Sequence, residues 1–315
     1  MTITIGDHGA CFDAPLRAME AARKLQPDNA GNYLAFFDHG TVVELQQLLQ
    51  GDYDLTPITY ADEEGRRIYE RSLRFVFLLA AERVFPQAQV RIEHSIGQGI
   101  YMLLNNMRLT PSDVLTLEEE MRDIVRNDLP FSRHRWTKQK AIDYFTRRGD
   151  LDKARLLGYR PYDFFDVYEC GGMYEYFYGA MLPSTGMLKV FRLHSRAPGV
   201  VLLLPDQQDP SRPARYVAAT KNMKAFAQSN YWCQVLNCTT AADLNDLIAS
   251  RGLRDFIRVN EAFHEKSLAE IAQDVIHRDA RIIYIAGPSS SGKTTFANRL
   301  SIALRVNGYK PMLVS

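Results

Sequence analysis

Apolar and polar positions alternate over residues 2–5, the pattern of a half-buried strand, and Asp7-His8-Gly9 supplies a hairpin turn. Residues 16–25 favour a helix that ends before Pro27. Residues 33–37 and 41–45 flank Asp38-His39-Gly40 as a second hairpin, and residues 56–60 close the unit as a strand. The order is ββαββ in about sixty residues.

A long helix is expected from about residue 62 to Val84, with Ile68, Leu73, Val76, Phe77, Ala80 and Ala81 largely at helical spacing and Pro86 as its stop. Residues 90–93 and 99–104 read as paired strands. Thr116, with Glu119 three residues on, is the expected cap of a helix running to Asn127, and Thr137 that of residues 138–148. Residues 162–205 alternate short strands with Gly-, Pro- and Ser-containing turns, which makes this middle region α+β. Residues 206–213 are polar and proline-punctuated, the best linker candidate, and residues 243–248 and 259–277 are helical. A β-branched run at 281–286, a helix from Phe296 to Val306 closed by Asn307-Gly308, and a strand at 311–315 complete a β-α-β order. The expected domains are 1–61, 62–205, a linker and helical segment at 206–278, and 279–315. No solenoid-period repeat is present.

Composition adds little to this picture. At 46% hydrophobic and 24% charged the chain is ordinary for a globular protein. A net charge of +1 offers no global field for nucleic acid, so any RNA site must be a local patch. No apolar run reaches the roughly 20 residues of a membrane span, and the first residues do not read as a signal peptide. Cys11, Cys170, Cys233 and Cys238 are scattered, which suits a reducing cytoplasm. Cys233 and Cys238 lie close, but no second ligand pair with zinc-site spacing follows, and two half-buried thiols are the simpler reading.

The motif with explicit chemistry is Gly287-Pro288-Ser289-Ser290-Ser291-Gly292-Lys293-Thr294-Thr295, a complete G-x-x-x-x-G-K-[ST]. Its glycines let backbone N–H groups curl round phosphate oxygens, and the helix behind aims its N-terminal donors at the same anion. Lys293 would bridge the β- and γ-phosphates and the Thr294 hydroxyl would take a Mg²⁺ position. The candidate ATP-binding residues are Gly287, Ser289, Ser290, Ser291, Gly292, Lys293, Thr294 and Thr295, with Mg²⁺ reached by Thr294 through ATP.

From Gly287 to Ser315 the sequence resembles the start of the phosphoribulokinase/uridine kinase family. That resemblance implies transfer of the ATP γ-phosphoryl to a nucleoside hydroxyl, with the family's catalytic aspartate expected beyond Ser315. The chain as given is therefore expected to be truncated within an α/β P-loop kinase domain and inactive by itself.

A second resemblance covers about residues 1–205. Asp54-Leu55-Thr56-Pro57-Ile58-Thr59-Tyr60-Ala61-Asp62-Glu63-Glu64-Gly65, then Val84-Phe85-Pro86, Thr137 to Phe145, Arg148-Gly149-Asp150 and Leu182-Pro183-Ser184-Thr185-Gly186 are similar to the N-terminal region of threonyl-tRNA synthetases. There a ubiquitin-like TGS domain joins the second additional domain, which edits mischarged tRNA. Bacterial nucleoside kinases with both N-terminal regions resemble the whole chain. The family's editing residues, a His-x-x-x-His pair and a Cys-x-x-x-His, fall by register on Arg71 and Phe75 and near Phe177 and Met181. None of these supplies a His or Cys equivalent, so zinc binding and deacylation are expected to be lost.

Other candidates have plainer readings. His94, before Ser95-Ile96-Gly97-Gln98-Gly99, is a ligand or, better, a satisfied turn histidine. Arg133-His134-Arg135-Trp136 with Lys138, Lys140, Arg147 and Arg148 is an RNA-like basic stretch, though a solvated helix face is preferred. Tyr174 to Tyr178 reads as half-buried strand rather than stacking platform. The leading expectation is a cytoplasmic uridine-type kinase acting on a nucleoside or similar small molecule. RNA is a less favoured partner, a membrane is excluded, and a homo-oligomer is allowed. The runner-up is an RNA- or ligand-binding regulatory module built on the synthetase-like half.

Overall fold

A computed structural model describes residues 1–105, 107–218 and 220–314, so the expected strand at 311–315 ends, at Ser315, outside the described residues. The chain divides into two compact units, Met1–Ala227 and Gln228–Ser315.

The first unit opens with β1 (Thr2–Ile5), β2 (His8–Cys11), β3 (Leu16–Arg17), α1 (Ala18–Leu25), β4 (Ala35–Asp38), β5 (Thr41–Glu44), β6 (Leu48–Leu49) and β7 (Tyr53–Ile58). Five strands form one sheet in the order β2-β1-β7-β4-β5, and β3 pairs with β6 apart from it. β1 and β7 run parallel at its centre, and the hairpins β1–β2 and β4–β5 are antiparallel. Alternation buries Ile3, Ile5, Phe36, Val43 and Leu55 against Ala18, Ala21 and Ala22 of α1. With the short extra pair set aside, the order is ββαβββ, one strand more than the ββαββ reading, because β4, β5 and β7 all follow α1.

Helix α2 (Glu63–Val84) is the axis of the larger core. Ile68, Leu73, Phe75, Val76, Phe77 and Leu79 are buried around it because elements cover it on several sides, so its apolar positions exceed one stripe. Against it lie Leu34, Ala35 and Ile58 of the first sheet, together with residues of β9 (Gly99–Asn105) and β14 (Gly199–Leu203). Those two strands are central in a four-stranded antiparallel sheet, β13-β14-β9-β8, with β8 at Gln89–Ile96 and β13 at Arg192–Arg196. At the start of α2, a Cβ on Gly65 would stand 1.8 Å from the Thr59 carbonyl oxygen, so only glycine lets β7 approach this closely.

Helix α3 (Pro111–Arg126) begins five residues before the expected Thr116 cap. Thr110 is the true cap: its hydroxyl accepts from the Asp113 amide, and the Asp113 carboxylate accepts from the Thr110 amide. Pro111 occupies the first helical position, where its missing N–H costs nothing. Thr116 instead lies inside the helix, where its hydroxyl donates to the Ser112 carbonyl.

A three-stranded sheet follows: β10 (Ser132–Thr137), β11 (Phe164–Cys170) and β12 (Met173–Glu175). Helices α4 (Lys138–Arg148) and α5 (Leu151–Tyr159) cover one of its faces. Here the expected Thr137 cap forms, and Gly149 closes α4 in the left-handed conformation (φ 85°). The expected linker at 206–213 is a closed turn, with Asp206 bonded to Arg212 and Ala214 to Leu204.

Helix α6 (Thr220–Val235) spans the boundary between the units. The second unit adds α7 (Ala241–Ala249), α8 (Leu253–His277) and α9 (Lys293–Val306), with Leu268 and Ala272 of α8 buried against Leu300 and Leu304 of α9. The β-α-β start expected at 281–315 is corrected here, because neither 281–286 nor 311–314 forms a strand. A parallel strand needs a neighbouring strand to take its amides, and among the described residues of this unit no strand exists to pair with. Tyr284 (90% exposed) and Val314 (89%) accordingly face solvent. Among the described residues, no helix is long and apolar enough to cross a membrane.

Candidate nucleic-acid interface

The register of β10 on β11 sorts side chains onto two faces. His134, Trp136, Phe165 and Val167 point one way, and Trp136, Phe165 and Val167 join Ala141, Phe145, Ala154 and Leu157 in a small core. Arg133 opposite Tyr168, Arg135 opposite Asp166, and Thr137 opposite Phe164 share the other face. That face forms one side of a cleft of about 410 Å³, completed by Glu44 of the first sheet and by residues 176–180.

Cations and rings alternate around the cleft. Tyr162 is 58% exposed, Phe164 52% and Tyr178 60%. The Arg160 guanidinium sits 5.4 Å from the Tyr162 ring centre and 5.0 Å from that of Tyr178, and Arg135 lies 5.4 Å from the Phe164 ring. These rings are held against cations rather than buried, which leaves their outer faces free for another planar group.

The inner end is closed by a polar network. Tyr168 donates to Glu44, and Arg133 reaches Asp166 at 2.6 Å and Glu44 at 3.8 Å. Burial first, then the Glu44 charge, raises the Tyr168 pKa well above the ordinary phenol value and keeps the ring a donor. Burial alone would lower the Arg133 pKa, but Asp166, Tyr168 and Glu44 outweigh it and hold the guanidinium charged.

The four positions of the expected degenerate editing site meet beside this cleft. Buried Ser72 donates to the Ile68 carbonyl and accepts from the Leu182 amide, both at 2.9 Å, which ties the 179–182 segment to α2. Arg71 then bonds the Ala180 carbonyl and pairs with Glu64 at 2.6 Å. A Cβ on Gly179 would stand 2.8 Å from that guanidinium. Phe75 is fully buried, its ring 5.5 Å from Phe131 and 6.0 Å from Phe177, and Met181 is buried in the same core. What stands here is a guanidinium and apolar bulk. Among the described residues, no group of three or more His, Cys, Asp or Glu is placed to hold a metal.

The basic stretch divides: Lys138, Lys140, Arg147 and Arg148 lie on α4, but Arg133 and Arg135 lie on β10 rather than on a helix, Trp136 is buried, and Lys140 caps its ring at 4.4 Å. Of Tyr174 to Tyr178, only the first two residues are strand, and Tyr178 is exposed. His94 sits in β8 rather than in a turn, stacked on Phe226 at 3.9 Å. Sequence reasoning missed Glu44, Arg160 and Phe164. The period-two spacing of Arg133 and Arg135 was the available signal, since it puts both on one face of a strand.

Gly287, Ser289, Ser290, Ser291, Gly292, Lys293, Thr294 and Thr295 belong to the other unit and do not contribute to the cleft. Gly287 to Gly292 form an exposed loop, with Gly292 at φ 78°, and Lys293, Thr294 and Thr295 are the first residues of α9. Lys293 Nζ donates to the Gly287 carbonyl at 2.9 Å and to the Pro288 carbonyl at 2.6 Å.

No family model matches the chain. Over 181 residues it is 32% identical to a threonine–tRNA ligase of Desulforamulus reducens, covering 57% of this chain and 28% of that protein. Over 184 residues it is 33% identical to the threonine–tRNA ligase of Herminiimonas arsenicoxydans and 31% identical to that of Aromatoleum aromaticum, covering 58% of this chain and 29% of each. The chain thus spans under a third of the length of these curated relatives. They are ligases, which overturns the expected uridine kinase/phosphoribulokinase membership and the expected nucleoside kinase and transferase activity. Well over half of this chain is threonyl-tRNA synthetase-like.

Proposed function

We propose that the first unit is an RNA-binding module of threonyl-tRNA synthetase type, in which residues 1–61 are a ubiquitin-like TGS domain and residues 62–205 an editing-like domain. Its cleft receives unpaired nucleotides at the end of a tRNA. The observation that carries this reading is the set of exposed rings, Tyr162, Phe164 and Tyr178, that line the cleft with Arg133 and Arg160, while Arg135 lies against Phe164 on the same face of β10 and β11. Bases stack on such rings while guanidinium groups neutralise phosphates. The tRNA in the relatives' names supports the same partner and corrects the preference for a small-molecule acceptor over RNA. The module binds without hydrolysing, because Arg71, Phe75, Phe177 and Met181 offer neither a general base nor a thiol. A cytoplasmic location, where tRNA is charged, belongs to the same proposal.

The test is fluorescence anisotropy with labelled tRNA over a salt series. Tyr178→Ala and Tyr162→Ala should each weaken binding by about 1–3 kcal/mol. Arg135→Ala should make the salt slope shallower by about 0.7. Affinity and slope unchanged in all three variants would overturn the proposal.

A second proposal concerns Gly287 to Thr295. Its sequence and the helix start at Lys293 suit the phosphates of ATP, with Lys293 exchanging its loop carbonyls for phosphate oxygens and Thr294 serving the accompanying Mg²⁺. Lys293→Ala should weaken Mg-ATP binding in calorimetry, and an unchanged affinity would reject the site.

A further inference from the structure

The end of α6 places two thiols together. Asn237 is left-handed (φ 51°), its amide bonds the Gln234 carbonyl at 3.0 Å, and the Cys238 amide bonds the Cys233 carbonyl at 2.9 Å. These paired bonds define a Schellman end, in which the residue after the left-handed position turns back over the residue five before it. The contact pair, usually two apolar side chains, is here Cys233 and Cys238. Both are free and half-buried, so both remain open to small reagents. Stacking of Trp232 on Phe263 (5.3 Å, 12°) anchors the same turn of α6 on α8.

We propose that Cys233 and Cys238 are a redox-modification site that closes to an intramolecular disulfide by exchange with a small-molecule disulfide such as glutathione disulfide. One thiolate attacks the reagent, forming a protein–glutathione mixed disulfide and releasing one glutathione thiolate. The second thiolate attacks the protein sulfur of that mixed disulfide, and the second glutathione leaves. One disulfide is reduced to two thiols as two protein thiols become one disulfide, so atoms and electrons balance. Burial first, then Asp243 and Cys233, raises the Cys238 pKa. Cys170 does not compete, because its thiol is fully buried and pushed up to about 12.

The test is tryptic mass spectrometry of the full chain after incubation with glutathione disulfide. Both cysteines fall on one peptide, residues 225–251. The expected product is that peptide lighter by about 2 Da, the two hydrogens lost on closure. Cys233→Ser and Cys238→Ser should each abolish the loss. Asn237→Gly, which keeps the left-handed turn, should close as the wild type does, whereas Asn237→Val should close about fivefold more slowly. A wild-type peptide that stays unmodified, or carries two glutathione adducts, would overturn the proposal. Closure at the same rate in Asn237→Val would also overturn it, because the turn would then not be what joins the thiols.

Discussion

The two units differ in how much of their apolar sequence finds cover. In Met1–Ala227, α2 is enclosed by two sheets and α3, and its Phe75 ring meets Phe131 and Phe177 across the core. Among the described residues of Gln228–Ser315, the buried apolar side chains are Ala242 and a small cluster between α8 and α9, and Tyr284, Ile302, Met312 and Val314 are exposed. The difference shows how far a motif depends on its surroundings. The loop from Gly287 to Thr295 has its full consensus and its following helix, yet no strand precedes it, and Lys293 bonds the loop's own carbonyls. The cleft of the first unit carries no consensus at all, but register and packing hold its rings and cations in place.

The largest expected effect tests the enclosed core. Phe75→Ala removes a ring that contacts Phe131 and Phe177 and should cost about 3–5 kcal/mol in urea unfolding of the first unit. In the second unit, Ile302→Ser should change stability by less than about 0.5 kcal/mol, whereas Leu300→Ala should cost roughly 2–5 kcal/mol. Equal losses from Ile302→Ser and Leu300→Ala would break the contrast between covered and uncovered faces.

A smaller effect separates two readings of one helix. Thr110→Ala should cost about 1 kcal/mol and Thr116→Ala close to nothing, read by chemical denaturation. The sequence contained both options. Thr116 with Glu119 and Thr110 with Asp113 each have capping-box spacing, and Pro111 at the first helical position decides for Thr110.

The smallest effect is pH-dependent. Burial lowers the pKa of His94, and burial followed by Arg196 lowers that of His194. The unfolded chain therefore binds more protons below the ordinary histidine value of about 6.5, and stability falls as pH drops through that value while staying flat above it. The loss of Tm between about pH 7.5 and 5.5 should shrink in a His94→Asn/His194→Asn double variant. An identical loss would assign the acid sensitivity to other groups.

Legibility in the sequence followed the range of the interactions involved. The Thr137 cap, the 62–84 helix and the first hairpins are local, and they were readable. The strand expected at 281–286 depends on a partner that local pattern does not supply. The cleft depends on contacts between residues far apart in the chain: Glu44 meets Tyr168, and Arg160 meets Tyr178. Arg71, Phe75, Phe177 and Met181 were placed together by resemblance alone, and the structure gathers them through the Ser72–Leu182 bond.

The central claim is that RNA binds the sheet face of the first unit. The most direct measurement is ultraviolet crosslinking of tRNA to the full chain, followed by peptide mapping. Crosslinks at Tyr162, Phe164 and Tyr178, diminished in Arg133→Ala/Arg135→Ala, are the predicted result. Crosslinks confined to residues 228–315, or none at the three rings under conditions where tRNA is bound, would contradict it.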